Sequence, residues 1–462
     1  MDLETSFNDM NFNILSPAAP VLAPRVGTLA ITGRKTISTP HFIPSTSRGA
    51  VPHIAQDVVR KETAINGLYV GLEDFIEKKH PAALYKMSVA VDESPLRNFI
   101  CASGDMPLIL GPRRFPAITC PPDNTNTSIA IFTSLGFQQL TAHDYIEAIQ
   151  NLKPDIVVGF ADLTHGKQPG VKRREKMVDR THAYTRHALE NLYSQSTTTK
   201  AAYFAPVLPL DNAQQTIYLD DLEDEFRDSL SGLALFESDS LDFIPESLGY
   251  LPRLLFSEPS EPHDLLRQIS LGADLLTVPF VNSSSDAGLA FDFTFPAPVQ
   301  QDGSQRHSLA INLWSPEHKM DVSPLRVGCE CFACRKHHRA YLNHLLAAKE
   351  MTSWALLQLH NHHMMDLFFE GVRGSIQRGS FEEDVMVFNR FYEASLPEPT
   401  GEGPRLRGYQ LPAAGPNQPK RAPRVYGRLD DVQQMLAESR SSVATPDTDA
   451  EGLEHHGFAA KA

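Results

Sequence analysis

The chain has 462 residues, 42% of them hydrophobic and 21% charged, with a formal net charge of −14. A chain this long can bury one large core, and its acidic balance excludes a protein that coats nucleic acid with its whole surface, because such affinity comes from Lys and Arg neutralising phosphates. No apolar run approaches the roughly 20 residues needed to span a bilayer, the start has no secretory apolar segment and neither end carries a lipidation motif, so a soluble, cytoplasmic protein with no membrane anchor of its own is expected.

Residues 1–22 mix Asn, Ser and Pro without periodicity and read as a disordered start. Residues 26–29 and 39–44 read as short strands punctuated by proline. Brief, mostly continuous apolar runs follow at 68–70, 107–110, 156–160, 202–204, 232–236, 253–256 and 274–278, as strands buried on both faces should be. Amphipathic stretches at 144–152, 173–192 and 262–271 lie between several of them. Alternating β and α predicts a parallel sheet, and count and length favour a closed (β/α)8 TIM barrel across 23–320. Helical text then runs to about residue 370 and again over 381–391, so 321–395 reads as a helical subdomain. Residues 396–462 turn to Pro, Gly, Arg and Ser, which predicts a mostly disordered tail whose basic stretch 420–424 is a solvated linker. The basic clusters at Lys172-Arg173-Arg174 with Lys176, and at Arg335-Lys336 with Arg339, read as solvated helix faces.

Three of the five cysteines stand together as Cys329-x-Cys331-x2-Cys334. Three thiolates and one imidazole make a closed tetrahedral zinc site with no open position for water, so the expected cofactor is one structural zinc ion per chain. An intracellular cysteine cluster is more often metal-binding than bridged. Several histidines offer the fourth ligand, among them His337, His338, His344, His362 and His363. His360 is preferred for its place late on the helical run 354–359, which can fold back onto a cysteine loop.

The cysteine triplet, followed by Arg339-Ala340-Tyr341-Leu342-x-His344-Leu345 and by His360-Asn361, resembles the zinc-binding segment of the tRNA-guanine transglycosylase family, the queuine tRNA-ribosyltransferases. The resemblance spans about residues 25–395. It implies a barrel opened by a small sheet, and exchange of guanine for queuine at the anticodon wobble position of certain tRNAs. The family's nucleophile is the second Asp of a strand pattern like Asp-x-Phe-Asp-Cys-Val. Here residues 274–279 match its first Asp, and Thr277 stands at the nucleophile's place. A threonine hydroxyl is a poor nucleophile without an adjacent base, and none neighbours it. The family's acid-base turn, Thr-Asp-Ser-Gly-Gly-Phe-Gln, is replaced by Gly111-Pro112-Arg113-Arg114-Phe115-Pro116. The similar text at 133–138 lacks the Asp and runs into Leu140-Thr141, which matches the family's downstream helix start.

Asp162 matches the base-recognising Asp, with Leu163 after it where an acidic residue usually follows, and Gly232-Leu233 is what remains of a Gly-Gly-Leu base-binding turn. These are expected to be pocket remnants without catalytic residues around them. By contrast, Gly170-Val171-Lys172-Arg173-x-x-Lys176-x-Val178-Asp179-Arg180-Thr181 resembles the family's non-catalytic accessory branch. That likeness implies a heterodimer with a catalytic subunit, no enzyme activity alone, and tRNA contact through the complex. The alternatives are an active transglycosylase with a displaced nucleophile, Asp274 or Asp286, and a scaffold or queuine carrier acting without such a partner. Asp274 lies an odd three-residue step from Thr277 and so should point to the strand's other face.

Overall fold

The computed structural model describes residues 10–16, 22–76, 83–87, 93–120, 123–133, 136–166, 168–193, 201–298 and 306–404. An antiparallel sheet of β1 (Met10–Ile14), β2 (Gly27–Ile31) and β3 (Ile37–Thr39) opens the chain. Then come β4 (His41–Ile43), β5 (Leu68–Gly71), β6 (Leu108–Gly111), the hairpin β7 (Ser128–Thr133) and β8 (Gly136–Thr141), and β9 (Ile156–Val158). They are followed by β10 (Ala202–Val207), β11 (Gly232–Leu235), β12 (Arg253–Leu255) and β13 (Leu275–Thr277). An antiparallel pair, β14 (Leu289–Phe291) and β15 (Ala310–Asn312), comes last.

One parallel sheet runs in the order β5-β6-β9-β10-β11-β12-β13-β4. Its two ends meet just past β4, where Tyr69 N–H donates to Pro44 O and Thr46 N–H to Tyr69 O, both at 3.1 Å, so the expected eight-stranded barrel closes. Alternation along each strand separates two cores, as the period of two requires. Inward residues such as Ile43, Ile109, Val158, Phe204, Ala234, Leu254 and Leu275 fill the barrel, with Leu29, Ile31 and Ile37 of the first sheet packed against them. Outward residues such as Leu68, Leu110, Val157, Ala205, Leu235 and Leu276 meet the surrounding helices.

Two expectations about the start change. Residues 10–14, expected in the disordered 1–22, form β1, because Met10 and Phe12 have an apolar surface to cover and β2 offers a free edge. The run at 39–44, read as part of the opening sheet, is divided between two sheets. Pro40 has no N–H for a ladder, and β4 beyond it becomes the barrel strand beside β13.

Eleven α-helices lie among the described residues: α1 (Gln56–Glu62), α2 (Pro95–Phe99), α3 (Ala142–Leu152), α4 (Val171–Leu192), α5 (Asn212–Glu223), α6 (Pro262–Ser270), α7 (Pro279–Asp286), α8 (Phe332–Lys336), α9 (Arg339–Ala347), α10 (Met351–Arg378) and α11 (Phe381–Phe391). Thr141 caps α3 by accepting from Asp144 N–H at 3.0 Å, which is the helix start the sequence announces. α5 goes unnoticed in the sequence because its polar text carries little 3.6-residue periodicity. No helix among the described residues is long and apolar enough to cross a membrane.

A third core belongs to the C-terminal subdomain and gathers Leu325, Ala333, Leu342, Leu346, Trp354 and Leu357. It also takes Ala290 and Leu313, upstream of residue 321, because β14 and β15 form its floor. Residues 396–404, expected within the tail, lie against this subdomain: Asn312 Nδ2 donates to Thr400 Oγ1 at 2.8 Å and Lys349 pairs with Glu402 at 2.6 Å. The rest of the tail, 405–462 with its basic stretch, is outside the described residues.

On α10, the carboxyl oxygens of Asp366 are sealed from water without a normal hydrogen bond. Burial pushes its pKa up to about 7, against the pull of the nearby His363 and Arg373 side chains. An unfolded Asp titrates near 4, so the folded state holds a proton that the unfolded chain releases between about 4 and 7. This stability is fully present below about pH 4 and is lost as pH rises through about 7. Asp366→Asn is expected to flatten that slope and to raise stability at pH 8 by about 1–3 kcal/mol, read from urea unfolding at pH 5 and 8.

Candidate functional site

The cysteine loop ends in a short helix, α8, whose N-cap is Cys331. Its sulfur accepts from Cys334 N–H at 3.3 Å, a bond that turns the loop so that the thiols converge. α10 brings His360 against them. Its Nδ1 lies 3.8, 3.5 and 3.4 Å from the sulfurs of Cys329, Cys331 and Cys334, and all four ligand atoms fall within 4.8 Å of one another. A tetrahedral ion with bonds of about 2.3 Å to sulfur and about 2.0–2.1 Å to nitrogen places nitrogen and sulfur about 3.5–3.6 Å apart. The four side chains therefore surround a space that one metal ion fits.

The rest of the geometry supports that fit. His360 Nε2 donates to Phe291 O at 2.9 Å, which fixes the tautomer and leaves the Nδ1 lone pair facing the sulfurs. Asn361, the next residue, accepts from Phe291 N–H at 2.9 Å and donates to Leu289 O and Ser285 Oγ, both at 2.9 Å. Consecutive side chains of α10 thus take both backbone groups of one β14 residue, which sets the helix's depth. Without a cation the thiols oppose one another. Hydrogen bonds from Cys331 and Cys334 drive the Cys329 thiol well below its usual range, while the bonds among the same three push Cys331 well above it. Three thiolates this close need a cation between them. The five cysteines are free of disulfides.

The second region is the C-terminal end of the barrel strands, where barrels of this kind carry their chemistry. Thr277 ends β13 with the parity of the inward Leu275. It is fully buried, and its hydroxyl is directed at the backbone of the neighbouring strand, toward Ser257 O at 3.0 Å and Leu255 O at 3.3 Å. Both partners are acceptors and neither can serve as a base. Asp274 sits at the opposite end of β13, fully buried, where Arg25 Nε and NH2 reach its two oxygens at 2.9 and 2.5 Å. Asp286, at the end of α7, pairs with His53 Nε2 at 2.5 Å.

Asp162 follows β9, fully buried and surrounded by donors. Arg173 grips it in a bidentate pair at 2.5 and 2.7 Å, Arg180 reaches it at 3.1 Å, and Asn124 Nδ2 donates at 2.5 Å. Arg173 was expected on a solvated helix face; it stands in the first turn of α4, after the N-cap Gly170, and its guanidinium reaches inward to the buried Asp162. Both arginines belong to the 170–181 motif, so the motif and the carboxylate form one unit. Gly232 is the first residue of β11, and a Cβ there would stand 2.6 Å from the Phe204 ring. Close packing inside the barrel accounts for this glycine, and it does not line the mouth.

A cleft of about 120 Å3 remains at the mouth. Small-molecule pockets usually run to roughly 300–1,000 Å3. Four aromatic side chains narrow it: Phe256 lies 4.9 Å from Tyr69, 5.6 Å from Phe115 and 5.6 Å from Phe236, ring centre to ring centre. Tyr69 OH donates to Arg113 O at 2.5 Å and holds the turn after β6 over the opening. The structure brings the metal cluster together as the sequence suggested, but it separates Thr277, Asp162 and Gly232 into three different settings. The aromatic group and Arg113 come together only in the fold, and the adjacent Arg113 and Arg114 are the signal of them in the sequence.

A family model described as queuine tRNA-ribosyltransferase matches residues 22–394. A protein of Schizosaccharomyces pombe named queuine tRNA-ribosyltransferase accessory subunit 2 is 36% identical over 391 residues, covering 84% of this chain and 86% of its own. Proteins of the same name from Drosophila pseudoobscura pseudoobscura and Anopheles gambiae are 28% and 24% identical over 382 and 372 residues, with 79% and 75% of this chain and 89% and 82% of theirs covered. With its residues matched over most of its length, the chain belongs to the queuine tRNA-ribosyltransferase family.

Proposed function

We propose that this chain is the non-catalytic subunit of a heterodimeric queuine tRNA-ribosyltransferase, whose catalytic partner exchanges guanine for queuine at the wobble position of target tRNAs. Such exchange needs a carboxylate to attack the anomeric carbon as guanine leaves, and a second group to move protons on the bases. The observation that carries the reading is Thr277, which stands at the nucleophile's place with its hydroxyl turned into the β12 backbone. Asp162, the matched base-recognising residue, has its charge taken by Arg173 and Arg180. Of the candidates for a displaced nucleophile, Asp274 is ion-paired with Arg25 and Asp286 is hydrogen-bonded to His53, and neither lines the cleft at the mouth.

In the same reading the ion between Cys329, Cys331, Cys334 and His360 is a structural zinc, since an all-sulfur-and-nitrogen set of four leaves no position for water or substrate. The chain's own residues then do architectural work. The cysteine loop is fastened to α10, α10 to β14, and the subdomain presents a fixed surface to the catalytic subunit.

The test is exchange of labelled guanine into tRNA by the full chain alone, by the catalytic subunit alone, and by the two mixed. Exchange is expected only when the catalytic subunit is present, with the mixture the most active. Turnover by this chain alone overturns the proposal, and recovery of the chain from cells without a catalytic paralogue favours a scaffold or carrier. Thr277→Asp is expected to create no activity, because Asp162 and the narrowed cleft are unchanged by it. Its buried carboxylate would face two carbonyl oxygens and lower stability, read as a fall in Tm.

A further inference from the structure

Arg113 and Arg114 are adjacent in one turn and differ sharply in their partners. Arg114 is fully engaged: its guanidinium meets Glu73 Oε1 at 2.9 Å, Asp74 Oδ1 at 3.1 Å and Phe132 O at 2.6 Å. Arg113 projects into the cleft at the barrel mouth. Its Nε is sealed from solvent with no partner, and the one hydrogen bond its guanidinium makes is long, 3.4 Å to Asn124 Oδ1, an oxygen that Ala130 N–H already occupies at 2.8 Å. Among the described residues no carboxylate pairs with it. Glu73 and Asp162, the two carboxylates whose charge it feels, are spent on Arg114 and on Arg173 with Arg180.

Across the same cleft His165 lies with its Nε2 sealed and unpartnered. The cleft is therefore lined by two partly buried side chains that each keep an unpartnered nitrogen, one of them a permanent cation, with aromatic walls and no carboxylate paired to that cation among the described residues. Even a partly desolvated guanidinium without a paired anion is costly, because a charge drawn out of water must be paired or strongly hydrogen-bonded to offset its lost hydration. The one carboxylate on the lining, Glu258, is exposed at the rim. The volume, about 120 Å3, admits a compact group.

We infer that the barrel mouth is an anion site, in which the Arg113 guanidinium and His165 Nε2 receive the oxygens of a phosphate or carboxylate group. Guanidinium forks match such planar or tetrahedral oxyanions with paired N–H donors. The aromatic walls favour an anion that carries a small apolar part over a heavily hydrated one. This inference stands on the cleft's own geometry and is independent of whether the chain lacks catalysis.

The experiment is calorimetric titration of the full, metal-loaded chain with inorganic phosphate, with benzoate and, as an uncharged control, with guanine. The same chain is also titrated with an anticodon stem-loop RNA. Saturable binding of one anion per chain is expected, weakened tenfold or more by Arg113→Met and less by His165→Phe, with guanine inert. Arg113→Lys keeps the charge and guards against a folding defect; it should retain part of the affinity. If Arg113→Met weakens only the RNA, the anion is a nucleic-acid phosphate, and the site stands with that source. If free anions and RNA bind the folded Arg113→Met and wild-type chains alike, or if neither binds the wild type, the inference is overturned.

Discussion

Cys331→Ala is expected to yield a chain that carries no metal and whose C-terminal subdomain is open to protease. Cys331 has two roles at once, since its sulfur is one of four converging ligands and also caps α8 through Cys334 N–H. Removing it leaves two cysteines and His360, too few for a closed tetrahedral site. Structural zinc contributes about 10–16 kcal/mol of apparent folding free energy in finger-sized peptides. The subdomain here also has an apolar core around Trp354 and Leu357. The loss is therefore expected to be smaller than in a finger, about 5 kcal/mol or more. Metal content by mass spectrometry and limited proteolysis across 321–360 measure it, and loss of pairing with the catalytic subunit should accompany it. Cys101→Ser, at an exposed position, serves as the control. Full metal content in Cys331→Ala would falsify the metal site.

Asp274→Ala should cost about 3–5 kcal/mol, because it strands buried cations at the foot of the barrel. Asp274 binds the Arg25 guanidinium by two bonds and accepts from Arg253 N–H at 2.8 Å. The Arg253 side chain is buried close by, its pKa lowered to about 10 by burial and by Arg25. Without the carboxylate the two guanidinium groups face each other out of water. For a chain of this size the Tm should fall by about 2–4 °C per kcal/mol. Asp274→Asn keeps acceptor geometry without the charge and should recover part of the loss. Exchange by the assembled complex below the new Tm should persist in both variants. If it vanished while the fold held, Asp274 would have a chemical role and the displaced-nucleophile reading would return.

Much of this was legible in the linear text. Short continuous apolar runs name seven of the eight barrel strands, since a strand buried on both faces has no polar side to reveal. The eighth, β4, lies inside the run 39–44 that reads as a strand of the opening sheet, and only its pairing with β13 and the contact from Pro44 to Tyr69 place it in the barrel. The metal cluster was legible because sulfur ligands at fixed short spacing have few other uses. His360 could be preferred over its neighbours from its helical position, and its distances to three sulfurs and to Phe291 O show why that position works.

The sequence by itself determined the β/α alternation and the cysteine triplet with its histidine, because each is a property of residue type at a given spacing, while its resemblance to the family implied that Thr277 stands at the nucleophile's place. Tertiary structure alone decided what surrounds those residues. It showed that Arg173 and Arg180 close on Asp162, that Gly232 makes room for Phe204, and that four aromatic rings and an unpaired Arg113 occupy the mouth. The reason is physical. Side chains on separate strands and helices meet only once the barrel has closed, and the charge or exposure of a group is set by neighbours that sequence distance does not reveal.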